Sequence, residues 1–243
     1  MVTDNDTAVA SKGITMANKL RIVGAVLALA GLGFFGAAIF AFTEVQAGQN
    51  SLQKFSEAQN VELSYNEDGQ LVDRGTVEGA EAILSLLKDD WGYKVVESEL
   101  DANDPLVNTG TEYMYQMALV AHHTLTGTTT VTLDEDVEYN GETFEAGTYE
   151  VATDGKYWAD FDRMHPLEGP ARAQAWTATA HALMGELGVG SVTASTLKLG
   201  LGIVGLIGGL GGLFLVIGGA CFWIARDVAP AAANTEVKAT AAA

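Results

Sequence analysis

The stretch Gly202–Ala225 reads GIVGLIGGLGGLFLVIGGACFWIA and contains no charged residue, no Asn and no Gln. A buried core helix, a targeting signal and a segment that lives in lipid would each make a different protein of this chain. Widened to 197–225, the apolar run is 29 residues long, with Lys198 near its start and Arg226 just past its end. A bilayer core takes roughly 20 apolar residues in a helix, and globular helices usually run to about 8–20 residues with a polar face. The run is read as a transmembrane helix, residues 197–225. Its lone cysteine, Cys221, lies inside it and behaves as a small hydrophobe, not a nucleophile.

The glycines in this helix are spaced for packing. Gly205 and Gly209 are four apart, and so are Gly208 and Gly212. Small residues at that interval strip bulk from one helix face and let a second helix approach. The blander account is that glycine is frequent in membrane helices.

A second run, LRIVGAVLALAGLGFFGAAIFAFTEVQAG, has no charge between Arg21 and Glu44, a distance of 22 residues. It carries Gly31, Gly33 and Gly36. The pattern predicts a second transmembrane helix over 20–43 and a two-helix hairpin joined through glycine faces. The competing reading is a signal peptide, with Lys12, Lys19 and Arg21 as its basic region and Val45-Gln46-Ala47 as the cleavage site. A signal core is only about 7–15 residues long, so an uncleaved anchor is preferred. Lys12, Lys19 and Arg21 precede the first helix and Arg226 follows the second, which by the positive-inside rule puts both termini in the cytoplasm.

Charge and grease are segregated along the chain. Residues 44–196 hold 27 of the 31 Asp and Glu but 7 of the 13 Lys and Arg, giving this stretch a net charge of −20. Phosphate would be repelled, so no nucleic-acid partner is expected. A solvated, soluble surface accounts for such a charge; attraction of cations or of a basic partner is the functional alternative.

About 150 residues suffice for one small domain. SLQKFSEAQ (51–59) continues helically from the first span, and Asn66, Asp68 and Gly69 mark a turn. Thr76 caps a helix over TVEGAEAILSLLKDDWGY. Asp104-Pro105 is expected to open the next helix, ending near Gly127. Asn140-Gly141 between VEY and ETF signals a hairpin among two or three short antiparallel strands. Pro170 opens a last helix that feeds the second span. The predicted layout is a cytoplasmic tail (1–19), a span (20–43), an acidic, mostly helical α+β extracytoplasmic domain (44–196), a span (197–225) and a disordered cytoplasmic tail (226–243).

Candidate chemistry is sparse. His122 and His123 are adjacent and point about 100° apart on a helix, so they do not face one metal together. His165 and His181 with a nearby acid are the one conceivable iron-type site; packing histidines are the simpler account. The acidic stretch DEDVEYNGETFE lacks calcium-loop spacing and reads better as strand–turn–strand. Tyr157, Trp158, Phe161 and Trp176 read as domain core or as a contact surface. No nucleophile elbow, Walker loop or dinucleotide fingerprint occurs. Neither span carries an internal ionisable residue where an ion path would need one.

With Asp101–Pro105 (DANDP) after the anchor, HPLEGPARAQAWTATAHAL at 165–183 and a Gly-rich span immediately after, the layout resembles a group of actinobacterial two-span membrane proteins of unknown function, often labelled "aromatic ring-opening dioxygenase LigA". The resemblance implies the two-span topology. It does not bring the chemistry of that label, which needs an iron site that these residues do not spell out.

The expectation is a non-enzymatic integral protein of the plasma membrane, a structural or accessory subunit of a membrane or envelope assembly. No catalytic residue and no cofactor are expected. Its partners are the lipid bilayer and a membrane protein or second copy docked on the Gly-rich faces. The alternative is an extracytoplasmic metal-dependent enzyme or cation-binding sensor domain.

Overall fold

A computed structural model describes the backbone of residues 4–240 and the side chains of residues 16–228. The chain falls into two units, one made of 1–48 and 197–243, the other of 49–196.

The first unit is a pair of helices, most of α1 (Asp4–Gln59) and most of α5 (Ala178–Thr240). Both are long and apolar enough to cross a membrane, with a mean hydropathy of 2.3 in the richest 18-residue window of each. That marks a membrane-associated chain by length and composition. The pair runs antiparallel, since Gly24 lies against Gly218 and Gly31 against Gly211. α1 is helical from Asp4, so the expected N-terminal tail (1–19) is helical over its described residues. α5 continues to Thr240 through the alanine-rich stretch expected to be disordered from 226. Alanine is the best helix former and extending a helix is cheaper than nucleating one. Residues 1–3 and 241–243 of those expected tails lie outside the described residues.

The second unit is a mostly helical domain with two small antiparallel strand pairs. Asn60, at φ 50°, closes α1 in the left-handed conformation, with its N–H on the Ser56 carbonyl at 2.8 Å. The chain then turns at 66–69, where the Asn66 side chain accepts from the backbone N–H of Asp68 and Gln70. Helix α2 (Val77–Ser85) is capped by Thr76, whose hydroxyl accepts from Gly79 N–H at 3.1 Å, and it runs on through a π-turn at Leu86–Asp90.

The central helix α3 (Gly110–Leu125) starts later than Asp104-Pro105 predicted. The Pro105 carbonyl and the Val107 N–H pair instead with Leu63 and Val61, which keeps that segment extended. Thr109 and Glu112 form the capping box that opens the helix. Strands β1 (Thr128–Leu133) and β4 (Gly147–Ala152) pair with Val131 opposite Tyr149, and between them β2 (Val137–Tyr139) and β3 (Glu142–Phe144) form the hairpin around Asn140-Gly141. Both turn residues have positive φ, 52° and 86°, as a two-residue hairpin turn requires. The helix predicted from Pro170 is divided: α4 (Glu168–Ala175) ends at Trp176, and α5 restarts at Ala178 with the Thr177 hydroxyl accepting from Ala180 N–H.

The core of this unit gathers Ile83 and Leu87 from the α2 segment, Tyr113, Tyr115, Ala118 and Ala121 from α3, and Val131, Phe161 and Trp176 from later elements. Isolated two-stranded pairs are marginal in water; here Val131 is 1% exposed and ties its pair to the helices.

Candidate functional site

In the helix pair, contact is made where side chains are smallest. Among the described residues of this unit, the buried positions are Ala17, Gly24, Gly31 and Ala38 on α1 and Gly211, Gly218 and Ala225 on α5. Each is seven residues from the next, the interval at which a helix face returns to the same partner. A Cβ built on Gly31 would lie 2.9 Å from the Gly211 carbonyl oxygen, and one on Gly218 would lie 2.8 Å from that of Gly24. Real Cβ atoms do not approach carbonyl oxygens so closely, so backbone meets backbone at these two levels. Toward the far end the seam mixes sizes: Leu197 occupies the space over Gly48, and Val45 the space over Gly200.

Only part of the glycine set expected to pack the two helices lies on this seam. Gly31 is central to it, Gly208 touches the Ala38 methyl at 3.6 Å, and Gly212 reaches the Phe35 ring at 4.0 Å. Gly33, Gly36, Gly205 and Gly209 have open space where a Cβ would stand, so they do not join α1 to α5. Of the two four-residue pairs, Gly208 and Gly212 face α1 and Gly205 and Gly209 do not, while the seam as a whole repeats every seven residues. Four-residue pairs drift around a helix, whereas a long antiparallel contact repeats every two turns. The signal was present in the sequence, as small residues at 17, 24, 31 and 38.

In the domain, the aromatic cluster forms a pile at the junction of α4 and α5. Trp176 stacks with Tyr157 (ring centroids 5.9 Å) and with His181 (5.7 Å). Its indole N–H donates to the Lys156 carbonyl at 3.0 Å. Trp158 meets His181 edge-on at 5.0 Å, and the Arg172 guanidinium stands 4.0 Å above the Trp158 ring. Trp91, far away in sequence, donates its indole N–H to the Tyr157 hydroxyl at 2.8 Å. The pile is therefore both core and surface: Trp176 is buried, while Tyr157 and Trp158 are exposed.

His165 and His181 serve different neighbourhoods. Nδ1 of His165 accepts from the backbone N–H of Leu167 and Glu168, which caps the start of α4 and puts the proton of the neutral ring on Nε2. Its ring also meets Tyr139 and Phe144 edge-on, which fastens the β2–β3 hairpin. Beside it, Tyr139 donates to Asp162 at 2.6 Å and Lys156 bridges Glu168 at 2.7 Å. The Lys156 hydrogen bond, followed by that from Asp162 N–H, holds the Glu168 carboxyl below its usual range. Among the described residues, no three His, Cys, Asp or Glu side chains converge as metal ligands would.

Sequence reasoning missed a buried polar string along α3. His123 Nε2 lies 3.1 Å from Asp73 Oδ1, a pair largely shielded from solvent. Burial, and then the neighbouring His123, push His122 below the ordinary histidine range. Tyr115 is 1% exposed and its hydroxyl finds no hydrogen-bond partner. Desolvation drives that phenol beyond its normal range, and Tyr65 is likewise raised, to about 12. No spacing rule links residue 73 to residue 123; the contact exists only once α2 and α3 have packed.

No protein-family model, curated protein or solved structure matches this chain.

Proposed function

We propose that the protein is a two-span membrane protein whose helix pair carries the acidic domain on the extracytoplasmic side, and that it works by interaction, as a structural or accessory subunit. The observation that supports the first half is exposure. Only 17% of the richest apolar window of α1, and 6% of that of α5, is covered by the rest of the chain. Leu29, Phe40, Val216 and Trp223 are each 66–71% exposed. Roughly twenty large apolar side chains at about 1.5 kcal/mol each come to some 30 kcal/mol if left in water, against a typical net stability of about 5–15 kcal/mol. A bilayer removes that cost.

The second half rests on how the polar groups are used. His165 caps a helix, His181 stacks on an indole and Glu112 closes a capping box, so the chemistry-bearing side chains already hold the fold together. The open positions at Gly33, Gly36, Gly205 and Gly209 leave room for a further helix to approach either span.

Topology is tested in a Cys221→Ser background, with a new cysteine at Ser98 or at Asn234. An impermeant maleimide on intact cells should label Ser98→Cys and spare Asn234→Cys. Labelling of both or the reverse pattern, or release of the chain from membranes by alkali, contradicts the proposal. The accessory role predicts a stoichiometric membrane partner, or a second copy, after purification in mild detergent. A lone monomer contradicts it.

A further inference from the structure

The domain carries two adjoining, mainly apolar grooves, together called the channel, that neither the helix pair nor the aromatic pile uses. Its first part, about 240 Å³, is lined by Phe55, Val61, Val107, Tyr113, Leu183 and Leu187. A second part of about 350 Å³ shares Phe55, Tyr113 and Glu186 with it and adds Leu52, Val189 and Gly190. The lining comes from the last turns of α1, from α3, from the first turns of α5, and from the extended pair Val61 and Val107. The Ser56 and Tyr113 hydroxyls share one hydrogen bond at 2.9 Å, which takes up part of the polarity of the lining. The rim is open: Phe55, Leu183 and Val189 are 46%, 42% and 68% exposed.

Size and charge narrow the occupant. From Leu183 to Thr193 the channel follows α5 for about 15 Å. A helix 10–12 Å across would need on the order of 1,200 Å³ over that length, far more than either part offers. A single alkyl chain needs no such width. Glu186 is the one charged side chain lining the channel, it faces both parts, and the surrounding region has a net charge of −20. An anionic head group would be repelled there.

We infer that this channel binds one acyl chain of a membrane lipid whose head group is zwitterionic or cationic. The inference rests on the two-span reading, which brings lipid to the same helices. It makes the domain a lipid-binding module as well as a platform for partners.

Gly185 supplies the test. It lines the second part and has open space where a Cβ would stand, so Gly185→Phe adds a ring to that lining with no clash at its Cβ. Gly190 would be the wrong choice, because its Cβ would lie 2.6 Å from the Tyr113 ring. The full chain is reconstituted in bilayer discs with phosphatidylcholine bearing a diazirine at the end of one acyl chain, irradiated and peptide-mapped. Parallel discs carry the same photoreactive chain on phosphatidylglycerol.

The expected result is labelling within 52–59, 113–120 or 183–193, several-fold stronger from phosphatidylcholine, and at least tenfold weaker in Gly185→Phe. Labelling of 22–43 and 199–225 should not change. Val189→Glu, at an exposed position, should reduce channel labelling in the same way and covers the case of a misfolded Gly185→Phe. Labelled 22–43 and 199–225 with an unlabelled channel, or channel labelling indifferent to both variants, overturns the lipid site alone. Absence of label from 22–43 and 199–225 overturns the membrane reading, and the lipid site with it.

Discussion

Close contact is made in the helix pair where side chains are missing, and in the domain where they are largest. Gly24, Gly31, Gly211 and Gly218 bring two backbones together, whereas Trp176, Tyr113, Tyr115 and Ile83 fill the space between elements of the domain. The difference follows from the solvent each region is suited to. In water, burying an indole or a leucine stabilises by about 1.5–3 kcal/mol. In lipid that gain vanishes, and close van der Waals contact between small residues remains. The same chain therefore needs bulk at one end of α5 and the lack of it along the rest.

The sharpest way to break this comparison is at the seam. A Cβ on Gly208 would lie 3.6 Å from the Cβ of Ala38, with no other neighbour within 4 Å, inside the 3.5–4.5 Å typical of a disulfide. In a Cys221→Ser background, Ala38→Cys with Gly208→Cys should therefore oxidise to a bond within the chain, read by mass spectrometry. Adding Gly31→Leu and Gly211→Leu should abolish that bond. Adding Gly205→Leu and Gly209→Leu instead should leave it intact. Equal loss in both cases would return the packing face to four-residue spacing.

In the domain, the expected effects are smaller and of the opposite kind. Trp176→Ala empties the centre of the aromatic pile and should cost about 3–5 kcal/mol, seen as a lower midpoint in near-ultraviolet circular dichroism. Ser56→Ala leaves the Tyr113 hydroxyl buried and unpaired, at a cost of about 1–3 kcal/mol. Tyr115→Phe removes a hydroxyl that has no partner. It should be neutral or stabilising by about 1 kcal/mol, and a loss comparable to Ser56→Ala would show that this hydroxyl is satisfied after all.

The smallest effect is a pH slope. His122 titrates lower in the folded domain than its ordinary 6.5. The unfolded chain then binds the proton first as pH falls, so this histidine's contribution is present above about 6.5 and is lost below it. His122→Gln should flatten the stability profile between about pH 7 and pH 5. Glu168, held low by Lys156, acts in a more acid window: its contribution is present above its ordinary 4.5 and is lost as pH drops beneath that value. Glu168→Gln should change that limb and leave the slope near neutrality alone.

Local chemistry was legible in the sequence. Asn140-Gly141 announces its hairpin, and Thr76 announces its helix, because both signals act within four residues. Features that depend on distant partners were not. Asp104-Pro105 looks like a helix start until Leu63 and Val61 claim the backbone around Pro105. Trp176 closes α4 and interrupts a helix that alanine content alone would have continued. Asp73 meets His123 only through the packing of α3. The seam was hidden differently: alanine at 17 and 38 is unremarkable in a helix, and only the interval shared with Gly24 and Gly31 reveals it.

That interval leaves the seam with a degeneracy. Sliding one helix by seven residues, about 10.5 Å, would set Gly24 against Gly211 and Ala17 against Gly218, small upon small once more. The middle of the seam thus accepts more than one alignment, like two combs of equal pitch. The odd teeth decide: Leu197 fits over Gly48, Val45 over Gly200, and the rings of Phe34 and Phe214 meet at 5.6 Å. Exchanging those glycines for leucine should free the pair to jump a notch, with the middle of its interface unchanged.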